Sequence, residues 1–152
     1  MFFQDKLKAF AETYRVLQNG GKFIFNAWGS LEDNPRAAVM RDVMEEIFGE
    51  APDFFKKGPY AFYDTDEIQQ LMQAAGFSGI SIDKVTKTIS NWSIDDNLKG
   101  FFEGSPLSAF LAQHDSSTRE SVKQKLKDAM IEKFGDSSDT VLLAYVVEGV
   151  KK

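Results

Sequence analysis

An α/β fold is predicted for this chain by three observations. Short apolar segments of strand length alternate with amphipathic segments of helical period, and glycine, proline or a capping residue stands at most of the junctions. The order along the chain is helix, strand, two helices, strand, three helices, strand. At 152 residues it fits one domain, and no internal repeat, low-complexity tract or linker divides it. A single domain over 1–152 is therefore expected, with the helical stretch 90–139 set into it before the last strand.

Each element has its own signal. Phe3, Leu7, Phe10, Tyr14 and Leu17 recur at steps of four and three, which makes one apolar face of a helix. Asn19-Gly20-Gly21 stops that helix. Lys22 to Trp28 (KFIFNAW) is aromatic and apolar on both parities, the pattern of a strand covered on both faces. Pro35 opens a helix after Asn34, and Val39, Val43, Ile47 and Phe48 carry it to Gly49. The stretch from Ala51 to Tyr63 shows no period. Asp64 with Glu67 starts the next helix, whose buried stripe is Ile68, Leu71, Met72 and Ala75, and Gly76 ends it.

Ile80, Ile82, Val85 and Ile89 form a strand whose alternation shifts phase near Asp83-Lys84, as at a bulge. Ser93 with Asp96 starts a helix that Gly104 closes, and Ser105-Pro106 opens another. A third helix carries Val122, Leu126, Met130 and Phe134. Thr140 to Val147 (TVLLAYVV) is the most apolar segment and is expected to be the central strand.

Composition limits the function. The net charge of −5 argues against a protein that grips nucleic acid through its phosphates. No apolar run approaches the ~20 residues of a membrane span. The first residues have neither the basic nor the apolar region of a secretory signal, so a cytoplasmic setting is expected. With no cysteine, thiolate metal sites and thiol nucleophiles are ruled out, and no His, Asp or Glu cluster has metal-ligand spacing. The eleven glycines nowhere form G-x-G-x-x-G.

Candidate functional residues are few. His114, the single histidine, reads as a surface or capping residue. Glu45-Glu46 and Asp95-Asp96 are sequence neighbours that do not share a helix face, so they read as solvated charge. Lys123, Lys125 and Lys127 are interspersed with acids. The pairs Phe54-Phe55 and Phe101-Phe102 point about 100° apart on a helix, so one ring can fill a core while the other meets a ligand. Asn26, Trp28 and Ser30 stand at the carboxyl end of the first strand, where open α/β sheets bind ligands. For Asn26 and Trp28, structural and functional roles are evenly balanced.

The run Asp5-Lys6-Leu7 followed by Tyr14-Arg15-Val16-Leu17-Gln18-Asn19-Gly20-Gly21-Lys22-Phe23 resembles one passage of the class I S-adenosylmethionine-dependent methyltransferases, in particular the UbiE-like branch. There R-V-L-x-P-G-G joins a helix to the fifth strand, and Asn19 stands here in place of the proline. The resemblance continues through Asn26-Ala27-Trp28, Tyr63-Asp64-Thr65-Asp66-Glu67-Ile68 and Leu71-Met72-Gln73-Ala74-Ala75-Gly76-Phe77, and the closing strand also fits. The glycine-rich loop after the first strand of that family is not in this sequence. Neither is the acidic residue that binds the cofactor ribose.

The resemblance implies the C-terminal portion of a Rossmann-like fold, starting past the fourth strand. Its family sheet order of 3-2-1-4-5-7-6 would leave a three-stranded mixed sheet in the order 5-7-6, flanked by helices, with 90–139 as a helical lid. It implies a transferase of one-carbon groups with a small-molecule methyl acceptor and with S-adenosylmethionine as cofactor of the full-length enzyme. The isolated chain would be inactive and would bind no cofactor tightly. The implied substrate-pocket residues are Asn26, Trp28, Tyr60, Phe62, Trp92 and Phe102. A non-enzymatic binding or oligomerisation module derived from such an enzyme is the alternative. Without a fourth strand, Lys22–Trp28 would expose unpaired backbone, so a homodimer through that edge or by element swapping is expected.

Overall fold

The computed structural model describes residues 3–90, 93–135 and 139–152. The helices are α1 (Lys6–Val16), α2 (Pro35–Phe48), α3 (Asp53–Lys57), α4 (Thr65–Ala74), α5 (Ile94–Gly104), α6 (Pro106–Leu111) and α7 (Ser116–Phe134). The strands are β1 (Lys22–Trp28), β2 (Ser78–Ile89) and β3 (Thr140–Val150), and Pro59–Ala61 forms a 3₁₀ turn. The chain divides into two compact units. A sheet unit comprises Met1–Ser30, Lys57–Thr86 and Leu143–Lys152, and a helical unit comprises Leu31–Lys56 and Lys87–Leu142. The helical unit thus joins the stretch 90–139 to α2 and α3. No helix among the described residues is long and apolar enough to cross a membrane.

In the sheet unit the strand order is β1-β3-β2, with the apolar closing strand at the centre as expected. β1 pairs antiparallel with β3, placing Lys22 opposite Val150 and Trp28 opposite Ala144. The start of β2 lies beside the end of β3, where the Ser78 hydroxyl donates to the Val150 carbonyl at 3.3 Å. β3 therefore runs against both neighbours, while β1 and β2 share a direction without touching. Both pairings are thus antiparallel, and the sheet is not the mixed one expected. Burial along β2 falls on Ile80 and Ile82 and then on Val85 and Ile89, so the phase does change near Asp83-Lys84.

α1 and α4 pack on one face of this sheet. The shared core contains Phe10, Ala27, Phe62, Ile68, Met72, Ala75, Phe77 and Val147. Asp5 caps α1 by accepting from the Lys8 N–H at 2.8 Å, and the Asp64 carboxylate accepts from the Asp66 and Glu67 N–H groups at the start of α4. Two glycines set the fit. Gly76 has φ +102°, and a Cβ there would lie 3.1 Å from the Tyr14 ring. A Cβ at Gly149 on β3 would come 2.5 Å from the Met72 methyl, so its absence admits α4 to the sheet.

Two expectations need correction. β1 is covered on one face rather than two: Phe23, Phe25 and Ala27 meet the core, whereas Lys22, Ile24 and Asn26 are exposed and Ile24 is 56% accessible. Both helices that cover the strand sit on the same side, so apolar residues of the other parity gain no layer from them. The apolar face of α1 is likewise buried only in part. The helix begins at Lys6 rather than Phe3, and Phe3 and Leu7 remain exposed.

In the helical unit α2, α5, α6 and α7 enclose a core that includes Val43, Met44, Leu98, Leu107, Leu111, Val122, Leu126 and Met130. α3 was not legible in the sequence, yet it contributes Phe55 to this core. Ser93, Ser105 and Asp115 cap α5, α6 and α7 through their side chains. The Asp115 carboxylate accepts from the Thr118 N–H at 2.8 Å. That backbone bond, then the Thr118 hydroxyl, holds the carboxyl below its ordinary range.

Because the folded value is depressed, the cap's contribution is present above the unfolded carboxylate range and is lost as pH falls through the folded value. Asp115→Asn keeps a capping oxygen without the titration. We expect its melting temperature to fall less steeply than that of the parent on acidification below about pH 4. Thermal scans by circular dichroism across that range measure this, and equal slopes would refute it.

Candidate functional site at the carboxyl end of β1

Side chains alternate along a strand, so Asn26 and Trp28 share the outward face of β1, opposite Phe25 and Ala27. The Gly29 N–H donates to the Leu143 carbonyl at 2.9 Å, which holds the strand end in the ladder. Trp28 is half-buried and Asn26 is exposed. The 3₁₀ turn Pro59–Ala61 then brings Tyr60 to Trp28, with ring centroids 6.2 Å apart and planes tilted by 40°. Two amphipathic rings therefore meet at one strand end, with a carboxamide on the same face of the strand. They offer flat apolar surface beside hydrogen-bonding groups, which suits a small ligand with both characters.

The remaining sequence-derived candidates are placed differently. Phe62 is 1% exposed and lies in the sheet-unit core, 6.3 Å from the Phe10 ring, with the Lys6 ammonium 4.9 Å from its centroid. That burial makes it a packing residue in this structure. Phe102 belongs to the helical unit, where it is half-buried on α5. It lines a shallow depression of about 390 Å³ with Asp95, Asp96, Lys99, Glu103 and Lys123. Trp92 lies outside the described residues.

The aromatic pairs divide as their helical spacing suggests in one case. Phe55 is buried while Phe54, whose ring lies 4.1 Å away, is half-buried. Phe101 and Phe102 are both half-buried against the helical core. His114 packs against Phe48 at 4.8 Å and Phe110 at 5.1 Å, beside a depression of about 640 Å³ that Glu50, Asp53 and Gln113 also line. The four-residue spacing from Phe110 was the one trace of this cluster in the sequence. Phe48 enters it through tertiary packing.

Charged residues behave as helix-surface groups. Lys125 pairs with Glu46, and Lys127 with Asp95 at 2.8 Å. Such exposed pairs contribute little to stability. Arg41 bonds to Glu32 and Asp42, and these hydrogen bonds raise its already high pKa. Among the described residues no group of three or more His, Asp or Glu side chains could hold a metal ion.

No family model and no curated protein matches the chain. Solved structures do. The YcgJ protein of Bacillus subtilis superposes with a TM-score of 0.50 at 17% identity, over 99% of this chain and 59% of the other. BH2331 of Bacillus halodurans C-125, a methyltransferase by designation, gives a TM-score of 0.45 at 16% identity, over 99% of this chain and 59% of its own. Phosphoethanolamine N-methyltransferase 2 of Haemonchus contortus was solved with phosphomonomethylethanolamine and S-adenosylhomocysteine. It gives a TM-score of 0.42 at 16% identity, over 99% of this chain and 31% of its own. The chain thus spans 59% of the YcgJ structure, and what it shares with that protein is the α/β fold.

Proposed function

We propose that this chain is the C-terminal, substrate-side part of a cytoplasmic S-adenosylmethionine-dependent methyltransferase acting on a small molecule. The UbiE-like branch is part of this reading, and the isolated chain is inactive. The carrying observation is the sheet order: the last strand in sequence lies between the other two and runs against both. That is the 5-7-6 arrangement implied by the sequence resemblance. The likeness to YcgJ supports the same fold.

The residues present do not fit the cofactor. Among the described residues no strand is followed by a glycine-rich loop, and β1 runs instead through Gly29–Asn34 into a helix opened by Pro35. In this proposal Asn26, Trp28 and Tyr60 bind and orient the methyl acceptor, and positioning with exclusion of water is their contribution to rate. The lid role of 90–139, with Phe102 and Trp92, belongs to the same proposal, and the cofactor is held by residues outside this chain.

Calorimetric titration tests the reading. S-adenosylmethionine added to this chain alone should give no saturable heat. Added to a mixture with a polypeptide carrying the strand, glycine-loop and helix half of such a fold, it should give a one-to-one isotherm. Tight binding by the chain alone, or none in the mixture, would overturn the assignment.

A further inference from the structure

Three rings of the helical unit meet at the C-terminal ends of α2 and α6. Phe48 and Phe110 stand edge to face with centroids 5.1 Å apart, and the His114 ring lies 4.8 Å from the first and 5.1 Å from the second. Local backbone bonds position each of them. The Gly49 N–H closes α2 on the Glu45 carbonyl at 2.9 Å, and the chain then turns so that Glu50 and Asp53 line one depression with Phe48. After α6 the Gln113 N–H donates to the Phe110 carbonyl at 3.2 Å and the His114 N–H to the Leu111 carbonyl at 3.0 Å. That tight turn returns His114 to Phe110. Phe48 and Phe110 pack on the helical core yet remain half-buried, as does His114, so all three rings keep surface for a ligand.

The depression of about 640 Å³ beside them falls in the size range of small-ligand sites. Buried Ala51 and Pro52 complete its apolar lining, and its charged lining is Glu50 and Asp53, with no lysine or arginine. The depression around Phe102 differs, because Lys99 and Lys123 stand there among the acids. Glu50 has a cationic contact from outside the lining, Lys56 at 3.6 Å. Both side chains are more than half exposed, so a ligand competes readily for that carboxylate. The Gln113 Nε2 donates to the Ala109 carbonyl at 3.4 Å, which leaves its amide oxygen as an acceptor at the rim. Carboxylates and an amide oxygen attract a cation, and so do aromatic ring faces through their quadrupole. An anion would be repelled by both carboxylates, and a neutral apolar ligand would gain nothing from them.

We propose that this depression binds a small organic ammonium ion, with the Phe48, Phe110 and His114 rings against its alkyl groups and Glu50 and Asp53 balancing its charge. The site belongs wholly to the helical unit and stands independently of the methyltransferase reading. Tetramethylammonium is the probe, and tert-butanol, similar in size but uncharged, is the comparison. Backbone amide shifts are followed by NMR at constant ionic strength and at about pH 8, above the ordinary imidazole range. Tetramethylammonium should give saturable shifts in the millimolar range at Phe48, Glu50, Phe110 and His114. Over the same range tert-butanol should give none that saturate.

Glu50→Gln should weaken tetramethylammonium binding about two- to five-fold, and Glu50→Gln combined with Asp53→Asn should weaken it further. Phe110→Leu keeps the depression apolar but removes a ring, and should also cost about two- to five-fold. Glu50 is exposed, so its variant reads the charge contribution even if Phe110→Leu disturbs α6. Absence of a saturable shift would overturn the proposal. So would an equal response to tert-butanol, the result expected of a merely apolar depression, or an affinity that is indifferent to Glu50→Gln.

Discussion

Phe10→Ala is expected to lower the stability of the protein by about 4 kcal/mol. The side chain is 5% exposed, and its ring lies 5.6 Å from Phe23, 5.2 Å from Phe25 and 6.3 Å from Phe62. Truncation removes the transfer energy of the ring, leaves a cavity between α1 and the sheet, and breaks three aromatic contacts that each add roughly 0.5–1.5 kcal/mol beyond area burial. Phe3→Ala, just ahead of the same helix, is the control. At 65% exposure its loss should stay within about 0.5 kcal/mol in conditions where the chain is monomeric. Urea unfolding followed by circular dichroism measures both at one fixed protein concentration, since association shifts apparent stability. Equal effects of the two substitutions would mean that α1 does not pack on β1 as described.

Leu126→Ala should cost about 3 kcal/mol, and its effect arises in the helical unit. Leu126 is fully buried in the middle of α7, one of four apolar residues at steps of four that face α2 and α5. Leu126→Met conserves volume and apolar character, so it should cost less than about 1.5 kcal/mol. Ile131, on the same helix but 38% exposed, provides the neutral comparison. Native-state hydrogen exchange would report the Leu126→Ala loss as reduced protection of α7 amides. Undiminished protection there would show that α7 lacks the packing its burial indicates.

Much of the local structure was legible because it is set within a few residues. Asp64, Ser93 and Ser105 each satisfy backbone donors two or three positions ahead, so the helix starts followed from residue type and spacing. The apolar steps Ile68–Met72 and Val122–Leu126–Met130 announced the faces that are in fact buried. The closing strand could be placed at the sheet centre because its residues are apolar on both parities. The same argument failed for β1, where Ile24 is apolar yet exposed. Both-parity hydrophobicity states what a strand is able to bury. It does not say whether a second layer is present.

The site divided along the same line. That Asn26 and Trp28 share one face at a strand end follows from the period of two, whereas the meeting of Trp28 with Tyr60 required a 3₁₀ turn in a stretch without periodicity. Phe62, two residues beyond Tyr60, turned inward to the core, a difference of backbone direction that residue type does not encode. Phe48 reached Phe110 and His114 across more than sixty residues of sequence by helix packing.

Caps, periods and strand identities belong to the chain itself, since hydrogen bonds and side-chain directions repeat over short distances. Which face of β1 is covered and which rings meet at its end were decided only by tertiary structure. Each depends on where residues far apart in sequence come to lie, and neither spacing nor hydrophobicity carries that information.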